Sequence, residues 1–184
     1  MKEEYAIILD YLPTGYPGSR RPLPIAQAIG TKYFSLLELV PKDGVTLEQE
    51  EKVYIGEGKR DKIKLIRHRL TLGRLTNVAH SVLEEILDSL IKENESRFVE
   101  FFNRAGTITP RLHQLELLPG IGKRYVEKII SNRPYNSFED LKKKTDIPDP
   151  IKVIRERILK ELEGKEKYYL FVAPPHRPRF GRRF

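Results

Sequence analysis

Leu117-Leu118-Pro119-Gly120-Ile121-Gly122-Lys123-Arg124 decides how the chain is read. Two glycines flank one aliphatic residue between two apolar-periodic stretches, and two cations follow at once. Glycine permits positive φ and lets a backbone approach a ligand closely. A helix that starts here presents free N–H groups and the positive end of its dipole, the arrangement that favours an anion. Lys123 and Arg124 add full charges at the same spot. The alternative is an ordinary tight turn between two helices, with its cations on a solvated face.

Working outward from that turn, the second half of the chain reads as helical. Thr76 or Asn77 can cap a helix whose Val78, Val82, Ile86 and Leu90 share one face, with Leu83, Leu87 and Ile91 beside them. A further helix over 96–105 carries Phe98, Val99, Phe101 and Phe102, a spacing that suits core packing. Leu112, Leu115 and Leu118 mark a short helix before the turn, and Val126, Ile129 and Ile130 mark the helix after it. Ser137 can cap another, with Phe138 and Leu141 apolar. Asp146-Ile147-Pro148-Asp149-Pro150 is a second turn, followed by a helix over 151–162 with Ile154, Ile158 and Leu162 on one face. The pattern is helix–hairpin–helix, connector, helix–hairpin–helix, with a degenerate second copy. Only the first turn, 119–122, offers a glycine backbone nest to a phosphate. The second lacks glycine and carries two acids.

The first half reads as strands: 5–12, 25–30, 33–40, 53–56 and 63–70, separated by the Pro/Gly/Arg loop 13–24 and an Asp43-Gly44 turn. Five short strands with turn signals predict a small antiparallel barrel. The fold class expected is therefore α+β. Residues 1–75 form an OB-like barrel and 76–164 a helical domain with the hairpin at 119–122. Residues 165–184 supply a C-terminal strand at 167–173 that returns to the barrel, then a basic tail.

Composition narrows the function. Among 184 residues the formal net charge is +8, which favours a polyanionic partner. A third of the residues are charged, as thermophilic proteins favour, but that would not explain an excess of one sign. Without cysteine there is no disulfide, iron–sulfur cluster or Cys-based zinc site, and His68, His80, His113 and His176 form no metal-spaced pair. No cofactor or metal is expected. The short apolar stretch near the N-terminus suits neither a signal peptide nor a membrane span, so a cytoplasmic protein is expected.

Arg111-Leu112-His113-Gln114-Leu115-Glu116-Leu117-Leu118-Pro119-Gly120-Ile121-Gly122-Lys123, preceded by Arg97-Phe98-Val99-Glu100-Phe101-Phe102-Asn103, resembles an uncharacterised archaeal family. That family is described as an OB-like barrel followed by a helix-hairpin-helix domain, and is predicted to bind nucleic acid. The resemblance covers nearly the whole chain. It implies that Gly120, Gly122, Lys123 and Arg124 hold one backbone phosphate, with Ile121 packed between the helices. Such binding is indifferent to base sequence.

Some DNA glycosylases use a similar hairpin, with a lysine two residues after the second glycine. Here Arg124 stands there, and a permanently protonated guanidinium is no nucleophile. Asp140 sits in a plausible helix start, where acids favour the dipole. No catalytic constellation is found, and glycosylase or lyase activity is the least favoured alternative. On the barrel, Tyr5, Tyr11, Tyr16, Tyr33 and Tyr54 are available for stacking. Lys62, Lys64, Arg67 and Arg69 alternate along the fifth strand, which would place four cations on one face. Arg177, Arg179, Arg182 and Arg183 could add phosphate contacts. The expected function is sequence-nonspecific nucleic-acid binding, RNA slightly before DNA, with a ribosomal or other nucleoprotein complex as the expected partner. A protein–protein adaptor is the alternative.

Overall fold

The computed structural model describes residues 2–175. Five strands, β1 (Tyr5–Leu12), β2 (Ile25–Gly30), β3 (Leu36–Pro41), β4 (Lys52–Tyr54) and β5 (Ile63–Arg69), form one antiparallel sheet in the order β4-β1-β2-β3-β5. The sheet curls into a half-barrel whose outer strands are β4 and β5, where the sequence leads one to expect a small antiparallel barrel. The inside of the curl holds Ala6, Ile8, Ala26, Ala28, Leu37, Leu39, Val53, Ile55 and Ile63. The small alanines on β1 and β2 leave room for the curl. Irregular pairing at Leu9 in β1 and at two places in β5 sharpens it, because a bulge bends its strand and increases the twist.

The third strand starts later than its composition suggests. The Glu3 carboxylate accepts hydrogen bonds from the amides of Lys32 (3.0 Å), Tyr33 (2.9 Å) and Ser35 (3.2 Å). These bonds hold residues 31–35 as a turn, with Phe34 at φ 53°, and β3 begins only at Leu36. Gly30 makes the approach possible: a Cβ there would lie 2.1 Å from Glu3 Cδ.

Helix α1 (Asn77–Glu93) begins where the sequence places it. Thr76 Oγ accepts from the Ala79 amide at 3.1 Å and donates to Asp10 Oδ2 at 2.6 Å, so the cap also pins the helix to β1. Helix α2 (Glu95–Arg104) buries Phe98, Val99 and Phe102. The short helix expected over 112–118 is instead a two-stranded ribbon, β6 (Thr107–Thr109) with β7 (Leu112–His113), and a 3-10 helix at Gln114–Leu117. The local cause is a capping box: His113 Nδ1 accepts from the Leu115 amide, while Glu116 accepts from the His113 amide. Helices α3 (Lys123–Ser131), α4 (Phe138–Thr145) and α5 (Pro150–Leu162) follow.

One apolar core joins the outer side of the sheet to the helices. Leu9, Ile29, Phe34 and Leu36 share it with Leu87, Phe98, Leu115, Ile129, Leu141 and Ile158. The predicted strand at 167–173 is not a strand. The amides of Leu170 (2.7 Å), Phe171 (3.0 Å) and Val172 (2.8 Å) all donate to the Glu161 carboxylate. Successive amides of an extended strand point to opposite sides, so three in a row cannot reach one carboxylate. The segment is an irregular strap, and its Ala173 amide bonds the Tyr33 carbonyl at 3.1 Å beside β3. The basic tail from residue 176 onward lies outside the described residues.

Glu161 and Arg157 are both buried, and their side chains meet at 2.8 Å. Removing one partner of such a pair leaves an uncompensated charge and costs about 3–5 kcal/mol. Glu161→Ala is expected to lower unfolding free energy by about that amount in urea titration. A loss below about 1 kcal/mol would show that the strap is held by other means.

Candidate nucleic-acid interface

The turn after the 3-10 helix is built by its own residue types. The Ile121 amide donates to the Leu118 carbonyl at 3.1 Å, and Gly120 takes φ 77°. Proline second and a positive-φ glycine third is the arrangement of a type II turn. Ile121 is buried in the main core and cannot itself touch a ligand; it anchors the turn from beneath. Gly122 follows as the N-cap of α3, in extended backbone and without a side chain to fill the cap. Its carbonyl accepts from the Val126 amide at 3.0 Å. The amides of Lys123, Arg124 and Tyr125 donate to no protein acceptor among the described residues. They are the orphan donors of a helix start, and they carry the positive end of its dipole.

The surroundings of this helix start are open. A Cβ added at Gly122 would meet no atom within 4 Å. Lys123 and Arg124 are exposed and form no ion pair among the described residues. The second turn is different. Asp146 adopts φ 61° and pairs with Lys128, while Asp149 Oδ1 accepts from the Lys152 amide at 3.0 Å. The start of α5 is thus filled by its own side chain. Ile147 is buried as Ile121 is.

Along β5 the four cations do not share one face. Leu37 pairs with Arg69, Leu39 with Ile66 and Pro41 with Ile63. Two irregularities, one taking in Arg67 and the other Lys64, turn a spacing of two into a spacing of three. Arg69 therefore shares a face with Ile66 and Ile63, while Arg67 turns to Glu38 on the other side at 3.2 Å. All four have partners already. Lys62 pairs with Glu51, Lys64 lies 3.7 Å from Asp43, and Arg69 donates to the carbonyls of Ala173 and Pro174.

The tyrosines divide as well. The Tyr16 hydroxyl donates to Glu38 at 2.7 Å and accepts from Gln27 at 2.9 Å. Burial raises its pKa, and the hydrogen bond from Gln27 opposes the rise. Tyr5 and Tyr54 pack edge to face at 5.3 Å, and Tyr11 packs against the cluster inside the sheet. Tyr33 lines a cleft of about 680 Å³, together with Arg97, Gln114, Lys167, Tyr168 and Tyr169, whereas Tyr54 and Tyr16 line two other clefts. Tyr168 and Tyr169 stood in the presumed strand, so their place here was not foreseen.

Among the described residues no group of three or more His, Asp or Glu side chains could hold a metal ion. Nor is any described helix long and apolar enough to cross a membrane.

The family model described as Protein of unknown function (DUF655) matches residues 2–173. The uncharacterised protein MJ0038 of Methanocaldococcus jannaschii is 46% identical over 175 residues, which is 92% of this chain and 80% of that protein. The crystal structure of Af1531 from Archaeoglobus fulgidus is 40% identical, with a TM-score of 0.84 over 93% of this chain and 100% of that one.

Two predictions concern the turn. Gly120→Ala forces a left-handed residue and should cost about 1 kcal/mol or more, whereas Gly122→Ala changes only the cap and should cost less. Thermal melts of the two variants side by side check the order. The second concerns His113, whose capping role requires a neutral Nδ1. Burial lowers its pKa below 6.5, Arg133 adds to the lowering, and Glu116 opposes it. A depressed folded-state value means stability present above the unfolded value and lost as pH falls. Wild-type stability should decline below about pH 6.5, and His113→Asn, which can still cap, should flatten that decline in urea titrations across pH.

Proposed function

The chain belongs to the family described as Protein of unknown function (DUF655), and we propose that it is a non-catalytic protein that binds nucleic acid through its phosphates. The observation that carries this reading is the start of α3, where unpartnered amides, an open glycine and two unpaired cations coincide. In this reading the 3-10 helix, the Pro119–Gly122 turn and α3 act as a helix-hairpin-helix, and the Asp146–Pro150 turn is its structural counterpart. The five-stranded, partly open sheet supports kinship with the OB type. Gly120, Gly122, Lys123 and Arg124 hold one phosphate, and Ile121 positions them.

The basic strand loses weight in this proposal. Lys62, Lys64, Arg67 and Arg69 would have to leave carboxylates or carbonyls before meeting a phosphate. Lys123 and Arg124 would leave only water. RNA is preferred over DNA by a small margin, and a ribosomal or other nucleoprotein complex in the cytoplasm is the setting that suits a small basic protein. Arg124 in place of a lysine weighs against glycosylase chemistry.

Magnitudes limit what one clamp can do. Exposed charge contacts are worth about 1 kcal/mol each, and a helix start adds about 0.3–1 kcal/mol. The sum is about 2–3 kcal/mol, short of the roughly 4 kcal/mol that a millimolar Kd requires. Useful affinity therefore needs further contacts along the strand.

Lys123→Glu combined with Arg124→Glu is the test. Both side chains are exposed and have no ion-pair partner among the described residues, so the fold should persist. Fluorescence anisotropy with a labelled oligonucleotide should show affinity falling by about tenfold or more. The slope of log K against log salt should become shallower by about two. A folded double variant with unchanged affinity would remove the turn from the interface.

A further inference from the structure

The cleft lined by Tyr33 and Tyr168 has aromatic walls that the fold does not use. Tyr33 comes from the turn before β3 and Tyr168 from the strap, and both are partly exposed. Neither ring belongs to either apolar cluster, and neither hydroxyl makes a hydrogen bond within the described residues. Both residues are held by their backbones instead. The Tyr33 amide donates to Glu3 and its carbonyl accepts from Ala173, while the Tyr168 carbonyl accepts from Arg157. Each ring lies near an ammonium group: Lys32 Nζ is 5.3 Å from the Tyr33 centroid and Lys167 Nζ is 5.2 Å from that of Tyr168.

The cleft and the turn are joined by one side chain. The Arg157 guanidinium donates to the carbonyl of Tyr168 and, at 3.3 Å, to that of Leu117, the residue that leads into the turn. Gln114 lines the cleft at the start of the same 3-10 helix. Its Oε1 accepts from the Gly106 amide, which leaves Nε2 as a donor without a protein partner among the described residues.

We propose that this cleft takes an unstacked base of a single-stranded nucleic acid, stacked on Tyr33 or Tyr168, while the adjoining phosphate sits at the Gly122 turn. The inference rests on the phosphate reading of that turn and adds a strand preference to it. Stacking on an aromatic face is open to any base, so it supplies affinity without sequence. Lys32 and Lys167 exchange the ring for the phosphates on either side of the stacked base. Gln114 Nε2 donates to an acceptor on the base edge. A duplex keeps its bases stacked and paired, so it reaches the turn but cannot fill the cleft.

The test compares a labelled oligouridylate with a blunt duplex of equal length, by anisotropy, against three proteins. Wild type should bind the single strand more tightly. Tyr33→Leu with Tyr168→Leu should weaken single-strand binding about tenfold and leave duplex binding unchanged. Lys123→Glu with Arg124→Glu should weaken both. If the tyrosine variant binds the single strand as wild type does, the cleft proposal is overturned. If the tyrosine variant loses affinity while the charge-reversed one does not, the cleft stands and the phosphate reading of the turn falls. Should the tyrosine variant fail to fold, ultraviolet crosslinking of wild type to a bromouracil-substituted strand decides. Attachment to the peptides bearing Tyr33 or Tyr168 supports the proposal, and attachment solely elsewhere overturns it.

Discussion

The C-terminal strap and the entry to the Pro119–Gly122 turn depend on one buried ion pair on α5. Glu161 and Arg157 are one turn apart, and both are almost fully buried. Charges in that position are tolerated only when their remaining hydrogen-bonding capacity is met. Glu161 meets it with the amides of Leu170, Phe171 and Val172; Arg157 meets it with Leu117, Tyr168 and Glu166. The pair thus fixes the strap, and the strap fixes Tyr33 through Ala173. The same arginine fixes the carbonyl before the Pro119–Gly122 turn. A hydrophobic pair would pack these elements but would not set the direction of three consecutive amides. Satisfying the carboxylate is what makes the C-terminal segment irregular where its composition favours a strand.

Several other cations are similarly engaged. Arg133 donates to the carbonyls of Phe102 and Ala105 at the end of α2, and Arg155 pairs with Asp88 at 2.6 Å between α1 and α5. Arg97 lies over Phe34 and Phe98, 5.6 and 5.5 Å from their ring centroids. These groups explain their own positions by what they hold together. Net charge alone therefore overstates the surface on offer to a polyanion. What matters is which cations lack an internal partner, and that separates Lys123 and Arg124 from the β5 residues.

The sequence makes the regular elements readable because their signals are local. Thr76 and Ser137 mark helix starts, and Phe98, Val99 and Phe102 lie at helical spacing on the buried face of α2. The Pro119-Gly120 turn is equally local, since its conformation is specified by the two residues that adopt it. What could not be read depends on distant partners. Nothing in Lys64-Leu65-Ile66-Arg67 announces two irregularities in pairing, because these are set by register with β3. Strict alternation already splits the four, since Lys64 and Arg67 stand three residues apart; the irregularities then part Arg67 from Arg69 as well. The strap fails for the same reason: Tyr169-Leu170-Phe171-Val172 has strand composition, but a carboxylate nine residues before Leu170 claims its amides. Tyr33 was visible as one of five tyrosines; only packing distinguishes it from Tyr16, whose hydroxyl is held inside by Glu38 and Gln27.

The two turns of the helical half make the strongest comparison within the molecule. Both bury one isoleucine, Ile121 or Ile147, in the same core, and both open onto a helix. At the second turn Asp149 caps the helix it precedes. At the first, Gly122 occupies the cap position with no side chain, no strain and open space around it. An aspartate, serine or asparagine there would satisfy an orphan amide and stabilise the free protein by a few tenths of a kcal/mol or more. Folding alone therefore does not call for glycine at 122, as the capped second turn demonstrates. A bare helix start is the arrangement that favours an incoming anion, because any capping side chain would compete for the same amides. Two cations with no internal duty stand next to it. That difference between two otherwise parallel turns is the physical ground for proposing a phosphate site at the first turn and not at the second.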